Sequence, residues 1–187
     1  MRRNRIKIFL LALAVCMLTV LTQGTLAYYT TTGTAINVTT SGEISAQIVE
    51  KLGDAPFPDE GVYVMPGSII SKKVSVVNTG GHPFWLRVKL TDDIDDKTLS
   101  SDVMELDLNL RDWIAGSDGF YYYKDQVQPG TETAKLFTHV KIAGDVDNSY
   151  LNKKLELTVT AYAVQSEHNG SSPLSASGWP AEGGDSV

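Results

Sequence analysis

The segment Pro66 to Leu90, PGSIISKKVSVVNTGGHPFWLRVKL, constrains the fold more than any other part of the chain. It reads as two strands joined by a turn: Pro66-Gly67 opens it, Asn78-Thr79-Gly80-Gly81 breaks it, and both flanks alternate in character. In the first flank Ile70, Val74 and Val76 share a face with Lys72. In the second, Phe84, Leu86, Val88 and Leu90 face one way and Trp85, Arg87 and Lys89 the other. A period of two with one apolar side describes a sheet covered on one face. The polar break calls for a positive φ, which Gly80 and Gly81 supply without steric cost. A hairpin of this kind is not stable alone, so the rest of the chain has to supply a second sheet.

The N-terminus supplies none of that core. Arg2, Arg3, Arg5 and Lys7 precede the apolar run Ile8 to Leu21, followed by a short polar stretch ending Thr25-Leu26-Ala27. This is the pattern of a secretory signal peptide over residues 1–27, with cleavage between Ala27 and Tyr28. The apolar run is shorter than the roughly 20 residues of a spanning helix, and an uncleaved signal, the chain's one membrane contact, is the alternative. Cys16 lies inside the signal behind Val15 rather than a small residue, so it reads as part of the apolar run and not as a lipidation site.

Removing the signal leaves 12 Lys and Arg against 22 Asp and Glu, a formal charge of −10, and no cysteine. Such a surface argues against nucleic acid and anionic membranes as partners. Disulfides, thiol catalysis and thiolate metal sites are excluded from the exported chain, so stability rests on its core.

Tyr28 to Gly42, YYTTTGTAINVTTSG, has neither charge nor proline and is rich in Thr, Tyr, Ile and Val. It is β-prone and pairs with any free strand edge. Two readings stand: the first strand of the domain's own sheet, or a strand held for another subunit, with Tyr29, Ile36 and Val38 as its assembly residues. Residues 43–165 then form the domain. Ile44, Ala46, Ile48 and Leu52 alternate with Glu43, Ser45, Gln47 and Lys51, with Val49-Glu50 out of step. Gly53 to Gly61, with two prolines, reads as a loop. Thr91 to Asp102, with five Asp, reads as a solvated loop or short helix.

Leu106, Leu108 and Leu110 restore the alternation, Ser117-Asp118-Gly119 turns into the aromatic strand Phe120 to Tyr123, and Lys135 to Ile142 forms another strand. Leu155, Leu157, Val159, Ala161 and Ala163 line one face of the last. Val64-x-Pro66-Gly67-Ser68 with Lys72 is echoed by Val127-x-Pro129-Gly130-Thr131 with Lys135, as equivalent corners of two packed sheets require. Residues 166–187 are rich in Gly, Ser and Pro and read as a flexible tail around a lone Trp179.

No motif for catalysis, metal or cofactor stands out. His82, His139 and His168 form no H-x-x-x-H or H-E-x-x-H pattern. A calcium loop starting at Asp145 would need Gly at its sixth position, where Tyr150 stands. No G-x-S-x-G, phosphate loop or dinucleotide fingerprint occurs. Trp85, Tyr121, Tyr122 and Tyr123 are candidates for a sugar-binding aromatic platform, and equally ordinary strand residues.

The signal followed by GTLAYYTTTGTAINVTTSGEISAQI resembles those processed by the SipW type of signal peptidase. VYVMPGSIISKKVSVVNTGGHPFWLRVKL and DGFYYYKDQVQPGTETAKLFTHVKI resemble the body of the TasA and camelysin family of exported Gram-positive proteins. The resemblance runs from about Ile6 to Gln165. It implies an all-β, Ig-like or jelly-roll β-sandwich, secretion to the extracellular matrix or cell surface, and self-assembly into biofilm fibres. In these the N-terminal strand completes a neighbour's sheet. Camelysin's description as a metalloprotease is the enzyme alternative, for which this sequence offers no metal triad. A carbohydrate-binding or adhesive module is the third reading.

Overall fold

The computed structural model describes the backbone of residues 27–37 and residues 44–150 and 152–182 in full. The signal segment before Ala27, Val38 and the last five residues lie outside the described residues. Among the described residues eleven strands follow in order: β1 (Ala27–Asn37), β2 (Ala46–Leu52), β3 (Ala55–Pro56), β4 (Val62–Val64), β5 (Ile69–Asn78), β6 (Phe84–Ile94), β7 (Met104–Leu106), β8 (Trp113–Ala115), β9 (Phe120–Tyr123), β10 (Phe137–Ile142) and β11 (Lys154–Gln165). They form two sheets, β4-β1-β11-β6-β9-β8 and β3-β2-β5-β10-β7, so the chain is an all-β sandwich.

The inward rows are those the alternation marks. Phe84, Leu86 and Val88 on β6 and Leu155 to Ala163 at every second position on β11 are at most 2% exposed. They meet Ile70, Val74 and Val76 of β5 and Val140 and Ile142 of β10 in one core. At roughly 25 cal/mol per Å² of apolar surface removed from water, rows of this length supply the main stabilisation of a chain without disulfides.

The two flanks of the central segment are not a hairpin. β5 belongs to the five-stranded sheet and β6 to the six-stranded one, so residues 79–83 cross between sheets. A hairpin and a crossing need the same alternation of apolar residues, and the sequence pattern does not separate them. The crossing is held by Asn78, which is fully buried. Its Nδ2 donates to the carbonyls of His82 and Val127, both at 2.8 Å, and its Oδ1 accepts from Gly80 N at 2.9 Å. The side chain thus replaces the ladder bonds that the crossing lacks. Neither Gly80 nor Gly81 has a positive φ.

Positive φ falls instead at Gly67 (76°) and Gly130 (71°), in the two echoed turns. Ser68 N donates to Met65 O and Thr131 N to Gln128 O, each at 3.0 Å, with proline second and glycine third in both. These are type II turns, where the third residue needs a left-handed φ. They do not mark corners of opposite sheets: β5 and β10 are antiparallel neighbours in one sheet.

Three further expectations change. Thr91 to Ile94 is not loop but the end of β6, laddered to β11 as far as Leu155↔Ile94. Its aspartates are exposed while Ile94 is buried, so tertiary pairing overrides a polar composition. After Leu106 the alternation is only apparent: the chain leaves the strand, and Leu110 is 54% exposed in a turn closed by Asn109 and Asp112.

Residues 166–182, expected as a flexible tail, form a strap packed on the outer face of β6, β9 and β11. Asn169 ties it together, donating from Nδ2 to Gln165 O and Ser177 O and accepting from Ser177 N. The strap's carbonyls at Asn169 and Pro180 accept from Trp85 Nε1 at 2.9 Å and from Arg87 at 3.1 Å. A Gly, Ser and Pro composition permits this irregular path as readily as disorder, and the partners that fix it lie on distant strands.

Candidate functional site

The N-terminal strand is the first candidate. β1 runs parallel to β11 in continuous register from Tyr28↔Lys154 to Asn37↔Ala163. On its other edge it pairs antiparallel with β4, through Ala27↔Val64, Tyr28↔Tyr63 and Tyr29↔Val62. Beyond Tyr29 no named strand lies on that edge among the described residues, so residues 30–37 form a sheet edge without a charged side chain. Its ladder to β11 is the one parallel ladder among the described strand pairs. Of the sequence-derived assembly residues, Tyr29 and Ile36 lie within this strand. Ala27 and Tyr28, either side of the expected cleavage point, are its first two residues.

The strap on the outer face of the six-stranded sheet is the second. Arg87 is its centre: the guanidinium lies 3.9 Å from the Phe120 ring centroid and 4.9 Å from that of Trp179. Trp179 meets Tyr122 edge-on at 5.8 Å. Tyr122 donates to Asp118 at 2.7 Å; burial first, then this bond, raises the phenol above its usual range. Lys89 adds a longer contact to Glu182 at 3.8 Å. The aromatic platform read from Trp85 and the three tyrosines does not form. Tyr121 and Tyr123 pack against the core between the sheets, while Trp85 and Tyr122 face the strap and are buried. The alternation of β9 separates them, as a period of two requires.

The interior holds a third feature. Lys72 is fully buried, with Nζ 3.0 Å from Glu50 Oε2 and 4.3 Å from the Phe57 ring centroid. Burial, only partly offset by the Glu50 carboxylate, pushes the amine down to about 8. Glu50 stands opposite Val74 on β5, so its place on the inner face explains why Val49-Glu50 breaks the alternation of β2. Phe57, in the segment expected as loop, is buried over the pair. The echoed Lys135 has another role: it bonds Glu132 and the hydroxyl of Ser75, which also donates to Glu132. A Ser–Lys contact of 2.9 Å has the geometry of a nucleophile and its base. Here Ser75 is fully buried and Lys135 is engaged by a carboxylate, so the contact clamps residues 131–136 to β5.

The histidines lie apart, at the sheet crossing, on the outer face of β10 and in the strap, and no group of three or more metal-binding side chains occurs among the described residues. His139 borders an open depression of about 460 Å³ with Ile69, Glu105, Leu106, Asp107 and Lys141. Its polar groups answer one another: His139 Nδ1 is 3.3 Å from Asp107 and Lys141 2.8 Å from Glu105. Burial would raise the Asp107 carboxyl, but bonds from Thr138 and His139 outweigh it and hold the group down to about 2. The aspartates of the former calcium candidates are likewise used locally. Asp96 bonds Lys153 and Thr98, and Asp147 caps the short turn at Ser149.

Compared with models of known families, curated proteins and solved structures, the chain matches none. Sequence reasoning missed the Lys72–Glu50 pair, the Asn78 plug and the Arg87–Trp179 contact. The first carried a signal, a lysine on an apolar face opposite a strand with one acidic residue out of step. The last carried none, because its partners stand 92 positions apart.

Proposed function

We propose that the chain is a secreted structural subunit of an extracellular or cell-surface assembly, built by exchange of β1 between copies. The observation that carries this reading is the position of β1: a charge-free strand at the end of the chain that cleavage creates, laddered along its length to β11 and gripped by β4 only over its first three residues. A strand of that kind can leave its own sheet and re-form the same ladder on a neighbour, with little net change in bonds. Donor and acceptor are different surfaces, so the contact is head-to-tail and yields filaments when the rotation does not close a ring. The resemblance to the TasA and camelysin family supports the same reading.

The test is deletion of Tyr28 to Val38 behind an intact signal, with the purified proteins compared by electron microscopy and sedimentation. The chain starting at Tyr28 forms filaments and the shortened chain stays monomeric. Filaments from the shortened chain would refute strand exchange. A chain starting at Tyr28 that stays monomeric at every concentration would refute assembly itself.

A further inference from the structure

We propose that the Ala27–Tyr28 bond is open to a signal peptidase only while β1 lies outside the sheet, so that cutting and insertion of β1 exclude one another. The inference rests on the reading of the chain as exported and cut at this bond, and adds when that cut occurs. The ladder does not begin after the expected cut; it spans it. Ala27 is paired with Val64, and Tyr28 and Tyr29 have a strand on each side, β4 on one and β11 on the other. Residues on both sides of the bond therefore have backbone groups committed within the sheet. A peptidase that holds its substrate as an extended strand needs those same groups, since backbone pairing is how extended peptides are bound. The sheet and the peptidase compete for one set of N–H and C=O groups.

The reaction itself is ordinary hydrolysis. Water adds across the amide, Ala27 leaves with the leader as the carboxylate, and Tyr28 keeps the amine. What the fold controls is the order. A chain cut first is free to place Tyr28 in the sheet. A chain that folds first has both residues of the bond paired in the sheet and keeps its leader, so the rate of β1 insertion sets the division between released and tethered protein. Cleavage of the folded form then waits on local opening of β1.

The experiment uses the full-length precursor in detergent micelles with a purified SipW-type signal peptidase, read by intact mass and N-terminal sequencing. Precursor diluted from urea directly into peptidase is cut between Ala27 and Tyr28. Precursor allowed to fold beforehand is cut about tenfold more slowly or worse, as cleavage through a minor open state requires. Folded precursor carrying Thr31→Pro and Thr32→Pro together, one of which removes an N–H that faces β11 because successive residues of a strand alternate in direction, is cut nearly as fast as the chain from urea. Equal rates for the folded and urea-diluted wild-type chains overturn the inference, and so does continued protection of the folded double-proline variant. If the chain from urea is not cut at this bond at all, the export reading falls and takes the inference with it.

Discussion

Substituting Lys72 by Met removes a charge from the interior of the sandwich while keeping the length of the side chain. Two unit charges 3.0 Å apart attract by about 5.5 kcal/mol at an effective dielectric constant of about 20. Burial nevertheless prevails, because the amine falls from 10.5 to about 8, about 3 kcal/mol against its charged form. Lys72→Met alone leaves the Glu50 carboxylate, 13% exposed, without its cation, at a cost of about 3–5 kcal/mol. Lys72→Met combined with Glu50→Leu removes both charges, and its stability lies between that of the wild type and about 4 kcal/mol above it. The pH dependence has a fixed sign. Between about pH 8 and 10.5 the unfolded lysine still holds its proton and the folded one does not, so folding of the wild type gains relative to the double variant as pH rises through that window. Urea melts of the three proteins at pH 7 and pH 10 measure both effects. A single variant as stable as the wild type at pH 7 would mean that Glu50 reaches water, and would refute the pair as a buried one.

Two other substitutions test the features that the sequence did not announce. Trp179→Ala loses the ring contacts to Tyr122 and Arg87, about 1–3 kcal/mol, and hydrogen exchange read by mass spectrometry speeds up across residues 166–182 while the core strands keep their protection; unchanged exchange in the strap would show that the bonds of Asn169, Trp85 and Arg87 hold it without the ring. Asn78→Ala leaves the carbonyls of His82 and Val127 without their donor, about 2–4 kcal/mol, and Asn78→Asp, which keeps the shape but not the donor, loses a similar amount in thermal melts.

The inward rows were legible because burial on one face writes a period of two directly into β6 and β11, and the β8–β9 hairpin because Ser117-Asp118-Gly119 carries its own turn chemistry, with Gly119 at φ 80°. Which sheet each row joins was not legible. Val74 and Leu86 face the same core whether their strands are paired or crossed, and Asn78, which decides between these, looks like any turn asparagine. The strap was hidden for a different reason. Arg87 reads as an exposed strand residue until Trp179 and Pro180 arrive from the far end of the chain. Thr91 to Ile94 was misread by composition, since Asp92 and Asp93 lie on a strand whose partner, β11, tolerates them at its exposed rim. At β1 the sequence left two readings open; the single chain places the strand in its own sheet, and exchange between copies concerns the same ladder.

The proposed exchange of β1 also has to overcome charge, which predicts a pH dependence of assembly that can be worked out. The chain from Tyr28 carries a formal charge of −10, so copies repel at low salt. Lowering the pH from 7 towards about 4.5 begins to protonate ordinary carboxylates and weakens that repulsion. The fold survives this step as far as its strongest carboxylate contacts are concerned. Asp96, through bonds to Lys153 and Thr98, and Asp107 are held down to about 2. A depressed carboxylate contributes its full stabilisation above the unfolded value of 3.8 and loses it only as pH falls through about 2. Filament mass measured by sedimentation therefore rises between pH 7 and 4.5 at low salt, and added salt at pH 7 raises it too, since screening at 0.1 M acts over about 10 Å. Loss of net charge promotes association of almost any protein, so the decisive comparison is the chain lacking residues 28–38. That chain contains every carboxylate of the longer one, because the deleted segment has none. If it sediments as the full strand-bearing chain does at pH 4.5, the association is loss of charge alone and β1 has no part in it.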